Sequence, residues 1–163
     1  MLKRQMLLPW KLQPSFFTNI LNNDTIISVG ITQLKGESKM KFYKCDKCGK
    51  IIAIVKETAA PTICCGEAMR ELVAGSSDGA AEKHVPVAKR EGNKLTVAIG
   101  SQPHPMVENH YIEWVALETE KGNQRVILAS GKEPVAEFAI LPGDTPKTVY
   151  AYCNLHGLWK AEL

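Results

Sequence analysis

The chain has 163 residues, 45% apolar and 23% charged, a globular balance rather than a disordered or fibrous one. Twenty basic against seventeen acidic side chains leave +3, and residues 1–39 alone hold five basic and two acidic groups, so the remainder is neutral and offers no nucleic-acid-binding stripe. The longest apolar runs, such as Ile51 to Val55, are far too short to span a membrane.

Residues 1–39 contain neither Cys nor His and show no clear periodicity. The apolar stretch after the basic start is cut by Pro9 and Lys11 before it reaches the length of a signal-peptide core. A short strand is expected at Ile26–Val29. Lys35-Gly36-Glu37 precedes Met40, and codons for these three residues can spell a purine-rich ribosome-binding sequence. The reading is therefore that residues 1–39 are translated upstream sequence with a natural start at Met40, or a poorly ordered extension. An odd number of cysteines, five, without a secretory signal points to a reducing compartment, the cytoplasm.

Residues 40–75 form a cysteine unit. Phe42-Tyr43-Lys44 leads into Cys45-Asp46-Lys47-Cys48-Gly49, a β-type run Ile51–Val55, a turn at Ala59-Ala60-Pro61, and Cys64-Cys65-Gly66. Cys45-x-x-Cys48 sets two thiolates on one tight turn, and a hairpin could return Cys64 and Cys65 to the same metal; the other reading of Cys-x-x-Cys, a thioredoxin-like dithiol, lacks the surrounding βαβ pattern. Four thiolates make a tetrahedral site for zinc or iron. Adjacent cysteines distort that tetrahedron, because zinc ribbons normally keep two residues between ligands. So short a segment has little core of its own and relies on a metal to stay folded.

Residues 76–163 read as β throughout after a linker at Ser76-Ser77-Asp78-Gly79. Strands are expected at Leu95–Ile99, Tyr111–Leu117, Arg125–Leu128, Ala136–Ile140, Thr148–Tyr152 and Leu158–Leu163. The turn chemistry between them, Glu91-Gly92-Asn93, Lys121-Gly122-Asn123, Ser130-Gly131-Lys132 and Pro142-Gly143-Asp144, suits an antiparallel sandwich. No long stretch carries a helical apolar period, so the fold class is all-β.

The remaining candidate ligands are His84, His104, His110, Cys153 and His156. Taken singly, each His is ordinary, since a lone His in a β protein is more often a surface or hydrogen-bonded residue. Their settings add weight. His104 is flanked by Pro103 and Pro105, which stiffen the loop and remove two donors. His110 opens a strand, His84 stands two residues before Pro86, and Cys153-Asn154-Leu155-His156 is a turn able to aim both side chains at one centre. If all five converge on a divalent metal, the site carries net charge +1 and keeps a sixth position open. Zinc prefers four protein ligands, whereas iron accepts five and gains electron density from a thiolate. That arrangement suits donation of one electron to a small anion.

These motifs resemble the desulfoferrodoxin family of superoxide reductases, in the form with an N-terminal desulforedoxin-like domain, over Met40 to Leu163. The matching stretches are Cys45-x-x-Cys48 with Cys64-Cys65, Glu82-Lys83-His84-Val85-Pro86-Val87, His104-Pro105-Met106, His110-Tyr111-Ile112-Glu113-Trp114, and Cys153-Asn154-Leu155-His156-Gly157. The resemblance implies a desulforedoxin-like domain over 40–75 and an immunoglobulin-like seven-stranded β-sandwich over 76–163. It also implies two irons per chain. Cys45, Cys48, Cys64 and Cys65 would hold an accessory iron. His84, His104, His110 and His156 would be equatorial ligands of a catalytic iron with Cys153 axial. Superoxide would take one electron and two protons there and leave as hydrogen peroxide, and a small donor such as a rubredoxin would restore the ferrous state. A homodimer is implied as well.

The resemblance also assigns roles to Glu82 and Lys83. Lys83 would attract superoxide and help supply a proton through water, while Glu82 would ligate the ferric iron and cap the site. By themselves the two are an ordinary surface charge pair. Asn154 is expected to donate its backbone N–H to the Cys153 sulfur. Three other readings use the same residues. A two-site electron-transfer module would lack a vacant, superoxide-reactive iron. A non-haem oxygenase would need two His and a carboxylate, whereas this set is rich in His and includes a thiolate. A superoxide dismutase must also oxidise superoxide, which a capped, thiolate-ligated ferric iron does poorly.

Overall fold

A computed structural model of the chain describes residues 40–163, so the expectations placed on residues 1–39, including the Ile26–Val29 strand, lie outside the described residues. The chain enters through β1 (Lys41–Lys44), which pairs antiparallel with β2 (Ile51–Ile54) on one side and β5 (Arg70–Glu71) on the other. A separate hairpin, β3 (Ile63–Cys64) and β4 (Glu67–Ala68), turns through Cys65 and Gly66. Both turn residues have positive φ, 52° and 82°, the left-handed pair that a two-residue hairpin loop requires. This turn is why consecutive cysteines can serve one centre.

Seven strands make the sandwich. One sheet runs in the order β10 (Val135–Ala139), β7 (Lys94–Ile99), β6 (Pro86–Glu91); the other runs β12 (Gly157–Glu162), β11 (Pro146–Cys153), β8 (Ile112–Thr119), β9 (Asn123–Ile127). Every pairing is antiparallel. Six of the seven strands lie within two residues of the runs expected from sequence. The seventh, β6, was not expected. It is an edge strand whose Lys89, Arg90 and Glu91 face solvent, and its proline stands at the first position, where a sheet tolerates the missing donor.

A single helical turn, α1 (Ala81–His84), precedes β6 and departs from the all-strand expectation for this stretch. Ala, Glu and Lys are good helix formers. Pro86 ends the turn by holding Val85 in extended backbone, φ −67° and ψ 124°.

The interior of the sandwich is apolar: Leu95, Val97 and Ile99 of β7 and Ala136 and Phe138 of β10 face Ile112, Val115 and Leu117 of β8 and Val149, Ala151 and Cys153 of β11. Strands β8 and β11 are buried on both faces. Their outward residues Trp114, Ala116, Tyr150 and Tyr152, with Leu158, pack against Phe42 and Leu72 of the cysteine unit. Phe42 lies 4.8 Å from the Trp114 ring and 5.4 Å from Tyr150, ring centre to ring centre, and Trp114 stacks on Tyr152 at 5.4 Å. Lys44 Nζ donates to Tyr152 Oη at 3.0 Å. Burying a side chain such as Phe42 contributes about 1.5–3 kcal/mol, so this shared core holds the cysteine unit on the sandwich. No helix among the described residues is long and apolar enough to cross a membrane.

Candidate metal centres

The four cysteines of the small unit converge so that their sulfurs lie within 4.8 Å of one another. Cys45 and Cys48 come from the β1–β2 connection, closed by Gly49 N–H donating to Cys45 O at 2.9 Å. Cys64 lies 3.7 Å from Cys48 and 3.9 Å from Cys65, sulfur to sulfur. The backbone N–H of Cys48, with help from that of Lys47, pulls the Cys45 thiol down to about 7. Its neighbours pay electrostatically. Hydrogen bonds from the clustered thiols hold the Cys64 thiol above its ordinary value and push Cys65 up to about 12. The Cys45 thiolate forms readily while Cys64 and Cys65 resist, so gathering the cluster as thiolates needs a cation among them. Lys47–Glu67 (2.7 Å) and Arg70–Asp46 (2.9 Å) ion pairs brace the two cysteine loops at the surface.

The second cluster stands at one end of the sandwich. His84 comes from α1, His104 from the loop after β7, and His110 from the tight Val107–His110 turn before β8. Cys153 ends β11, and His156 sits in the three-residue turn into β12. One donor atom from each lies within 4.8 Å of all the others. His84, His104 and Cys153 are buried, at 2%, 3% and 0% exposure, and His110 and His156 are half-buried.

Hydrogen bonds fix which nitrogens face the centre. His84 Nδ1–H donates to Ala80 O at 2.7 Å and His104 Nδ1–H to Pro105 O at 2.5 Å, leaving both Nε2 atoms as bare acceptors. These two Nε2 atoms are 3.1 Å apart, and His84 Nε2 is 3.0 Å from His156 Nδ1. His110 Nε2 is buried with no partner among the described residues. Facing lone pairs and an orphaned buried nitrogen are unfavourable unless a cation sits between them.

Burial, followed by the neighbouring imidazoles, lowers His104 to about 4; burial is also the main cause that holds His84 and His110 below their ordinary value. Neutral imidazoles are the state that binds a metal. Burial raises the Cys153 thiol, against the backbone N–H groups of His156 and Leu155, which favour the thiolate. A five-donor set of four imidazoles and one thiolate exceeds what zinc ordinarily takes and fits iron with a position to spare.

The expected backbone bond from Asn154 to the sulfur is not formed, because that N–H donates to Tyr111 O at 3.2 Å. The N–H groups of Leu155 and His156 serve the sulfur instead, since the turn points them inward. Asn154 works through its side chain: Oδ1 accepts Tyr111 N–H at 3.0 Å, and Nδ2 donates to Asn109 O at 3.1 Å. It thereby sutures the His110 turn to the Cys153–His156 turn.

Glu82 and Lys83 occupy α1 directly before His84, both exposed. Among the described residues neither side chain has a hydrogen-bond or ion-pair partner. The Lys83 charge is felt at both His84 and His110, and that of Glu82 at His84. Two glycines that sequence reasoning passed over hold this helix and the strap before it. A Cβ on Gly100, whose φ is +86°, would lie 2.3 Å from Gln102 O, 2.7 Å from Lys83 O and 2.8 Å from Glu82 O. A Cβ on Gly79 would lie 3.0 Å from Trp159 Cζ2 and 3.1 Å from the His156 Cβ and Cγ. In the sequence Gly79 shows only as linker composition and Trp159 only as a strand residue.

Residues 76–162 match the family model described as Desulfoferrodoxin, and residues 37–72 match the Desulfoferrodoxin N-terminal domain. A desulfoferrodoxin homolog of Archaeoglobus fulgidus is 43% identical over 75% of this chain and 96% of its own length. The desulfoferrodoxin of Nitratidesulfovibrio vulgaris is 42% identical over 77% and 98%. Among solved structures, the superoxide reductase from Treponema pallidum superimposes with a TM-score of 0.66 at 33% identity, covering 76% of this chain and 99% of that one.

Proposed function

The chain belongs to the desulfoferrodoxin family, and from that premise we propose that it is a superoxide reductase converting superoxide to hydrogen peroxide. The observation that carries the reading is the convergence of His84, His104, His110, His156 and Cys153 on one point, with an orphaned buried nitrogen among them. These five would hold the catalytic iron, and Cys45, Cys48, Cys64 and Cys65 an accessory iron. Iron bound at the five donors would supply the single electron that, with two protons delivered through water, turns superoxide into hydrogen peroxide.

The chain's own residues do the rest. Lys83 Nζ draws the anion toward His84 and His110 and passes a proton through water. Glu82 holds the oxidised resting state with its carboxylate and excludes competing ligands. The N–H groups of Leu155 and His156 orient the Cys153 sulfur and stabilise its negative charge. Residues 40–75 form the accessory unit and 76–163 the reductase unit. A rubredoxin-like donor restores the electron, and the protein acts as a homodimer in the cytoplasm.

Metal content and the visible spectrum test this reading. Two irons per chain are expected, with rubredoxin-like bands and a broad thiolate-to-ferric band that emerges on oxidation, followed by rapid reaction with superoxide. One zinc, no colour, and failure to reconstitute iron at the histidines would overturn it.

A further inference from the structure

We infer that Trp159 is a positioning residue of the histidine–cysteine centre, holding the His84 ring by its face and the His156 main chain by its N–H. The inference rests on the proposed iron site above and adds a residue outside the donor set and its charged neighbours.

Trp159 lies in β12 opposite Ala151 and is 6% exposed. Its indole stacks on the His84 imidazole, with centroids 4.8 Å apart and planes 22° from parallel. Its Nε1–H donates to His156 O at 3.1 Å, an oxygen that also accepts Ser77 Oγ–H at 2.6 Å. One side chain therefore touches two of the proposed ligands.

His84 is the ring whose orientation matters most. It lies edge-on to His104 and His156, both 4.7 Å away, and its Nε2 approaches a donor nitrogen of each. The bond from Nδ1 to Ala80 O fixes one edge of the ring, but a ring held at one edge still pivots. The flat indole removes that freedom by covering a whole face. At His156 the indole N–H and the Ser77 hydroxyl pin the carbonyl, and so fix where the turn aims Nδ1. The missing side chain at Gly79 leaves just the room that Trp159 and His156 need together.

The indole also acts electrostatically. Its electron-rich face lies against an imidazole that gains positive character on binding a cation, which favours the more highly charged metal state. Removing it should raise the midpoint potential of this centre.

The test uses the full chain with iron at both centres, so that the cysteine iron in the same molecule is the internal reference. In Trp159→Leu, which keeps apolar bulk but no flat face, the potential of the histidine–cysteine iron should rise and its ferric thiolate band should shift, with the cysteine iron unmoved. Trp159→Phe restores a flat ring without the N–H and should return most of the shift.

An unchanged band and potential in folded variants, or equal movement of both centres, would overturn the inference. A wild-type chain that holds iron there but ignores superoxide would overturn the proposed activity and leave this test intact. A wild-type chain that takes no iron at the five donors would overturn both.

Discussion

At the scale of single residues, the roles proposed for the charged pair on α1, and the fit of the glycine beneath it, can be tested separately. Lys83 is an exposed cation whose field reaches His84 and His110. Electrostatic steering of this kind raises capture rates by about ten- to a thousandfold and falls steeply with salt. Lys83→Ala should therefore slow superoxide capture at low salt and flatten its ionic-strength dependence in pulse radiolysis. An unchanged salt slope removes Lys83 from the mechanism. Glu82→Ala should leave capture intact and alter the ferric spectrum; identical spectra across pH would show that its carboxylate does not reach the metal. Gly100→Ala forces a side chain into positive φ and onto the Lys83 and Glu82 carbonyls. Backbone strain of about 1–3 kcal/mol is expected, with weaker metal retention because α1 carries His84. Denaturant melts and chelator competition measure the two effects.

At the scale of elements, β8 and β11 bridge the two halves of the molecule. Tyr150 Oη donates to Glu118 Oε2 at 3.2 Å across this pair, and burial together with that carboxylate pushes its phenol up to about 12. The ordinary phenol ionises at 10.0, so between these values the unfolded chain sheds the proton first. Stability present below pH 10 is then lost as the pH rises toward 12. Tyr150→Phe should flatten this alkaline loss and cost about 1 kcal/mol at neutral pH, as read from urea melts across pH. The strands themselves were legible because β-branched runs alternate with Gly-Asn, Gly-Lys and Gly-Asp turns. Strand β6 was not, since its solvent-facing lysine, arginine and glutamate look like loop. The single turn α1 is too short to show a period. A bulge at Glu113, where Tyr152 pairs with Trp114 but Cys153 with Ile112, also leaves no mark in sequence. It turns Ile112 into the interior beside Cys153.

At the scale of the whole molecule, the cysteine unit has two supports, its metal and the aromatic face of the sandwich. Metal-binding free energy in so small a unit is folding free energy. Cys45→Ser should therefore loosen residues 45–66 while the shared core around Phe42, Leu72 and Trp114 stays protected. Amide exchange would show early opening confined to that segment, with β8 and β11 slow and the spectrum of the histidine–cysteine centre unaltered. Simultaneous opening of the sandwich strands would mean that the two halves fold as one cooperative unit.

Turn chemistry and the spacing of the four cysteines carry an all-β chain with a cysteine metal site, and the resemblance of the His84, His104, His110 and Cys153–His156 motifs to a known family supplies the second centre. Ligand motifs such as Cys45-x-x-Cys48 and Cys153-Asn154-Leu155-His156 close within a few residues, so the information is local. Only the folded chain shows that Trp159 covers His84, that Asn154 ties two ligand turns together, and that Phe42 seals the sandwich against the cysteine unit. Each of these depends on which strands pair, in what register, and which face they bury. Contacts of that kind join residues distant in the chain, and no local pattern of residue types encodes them.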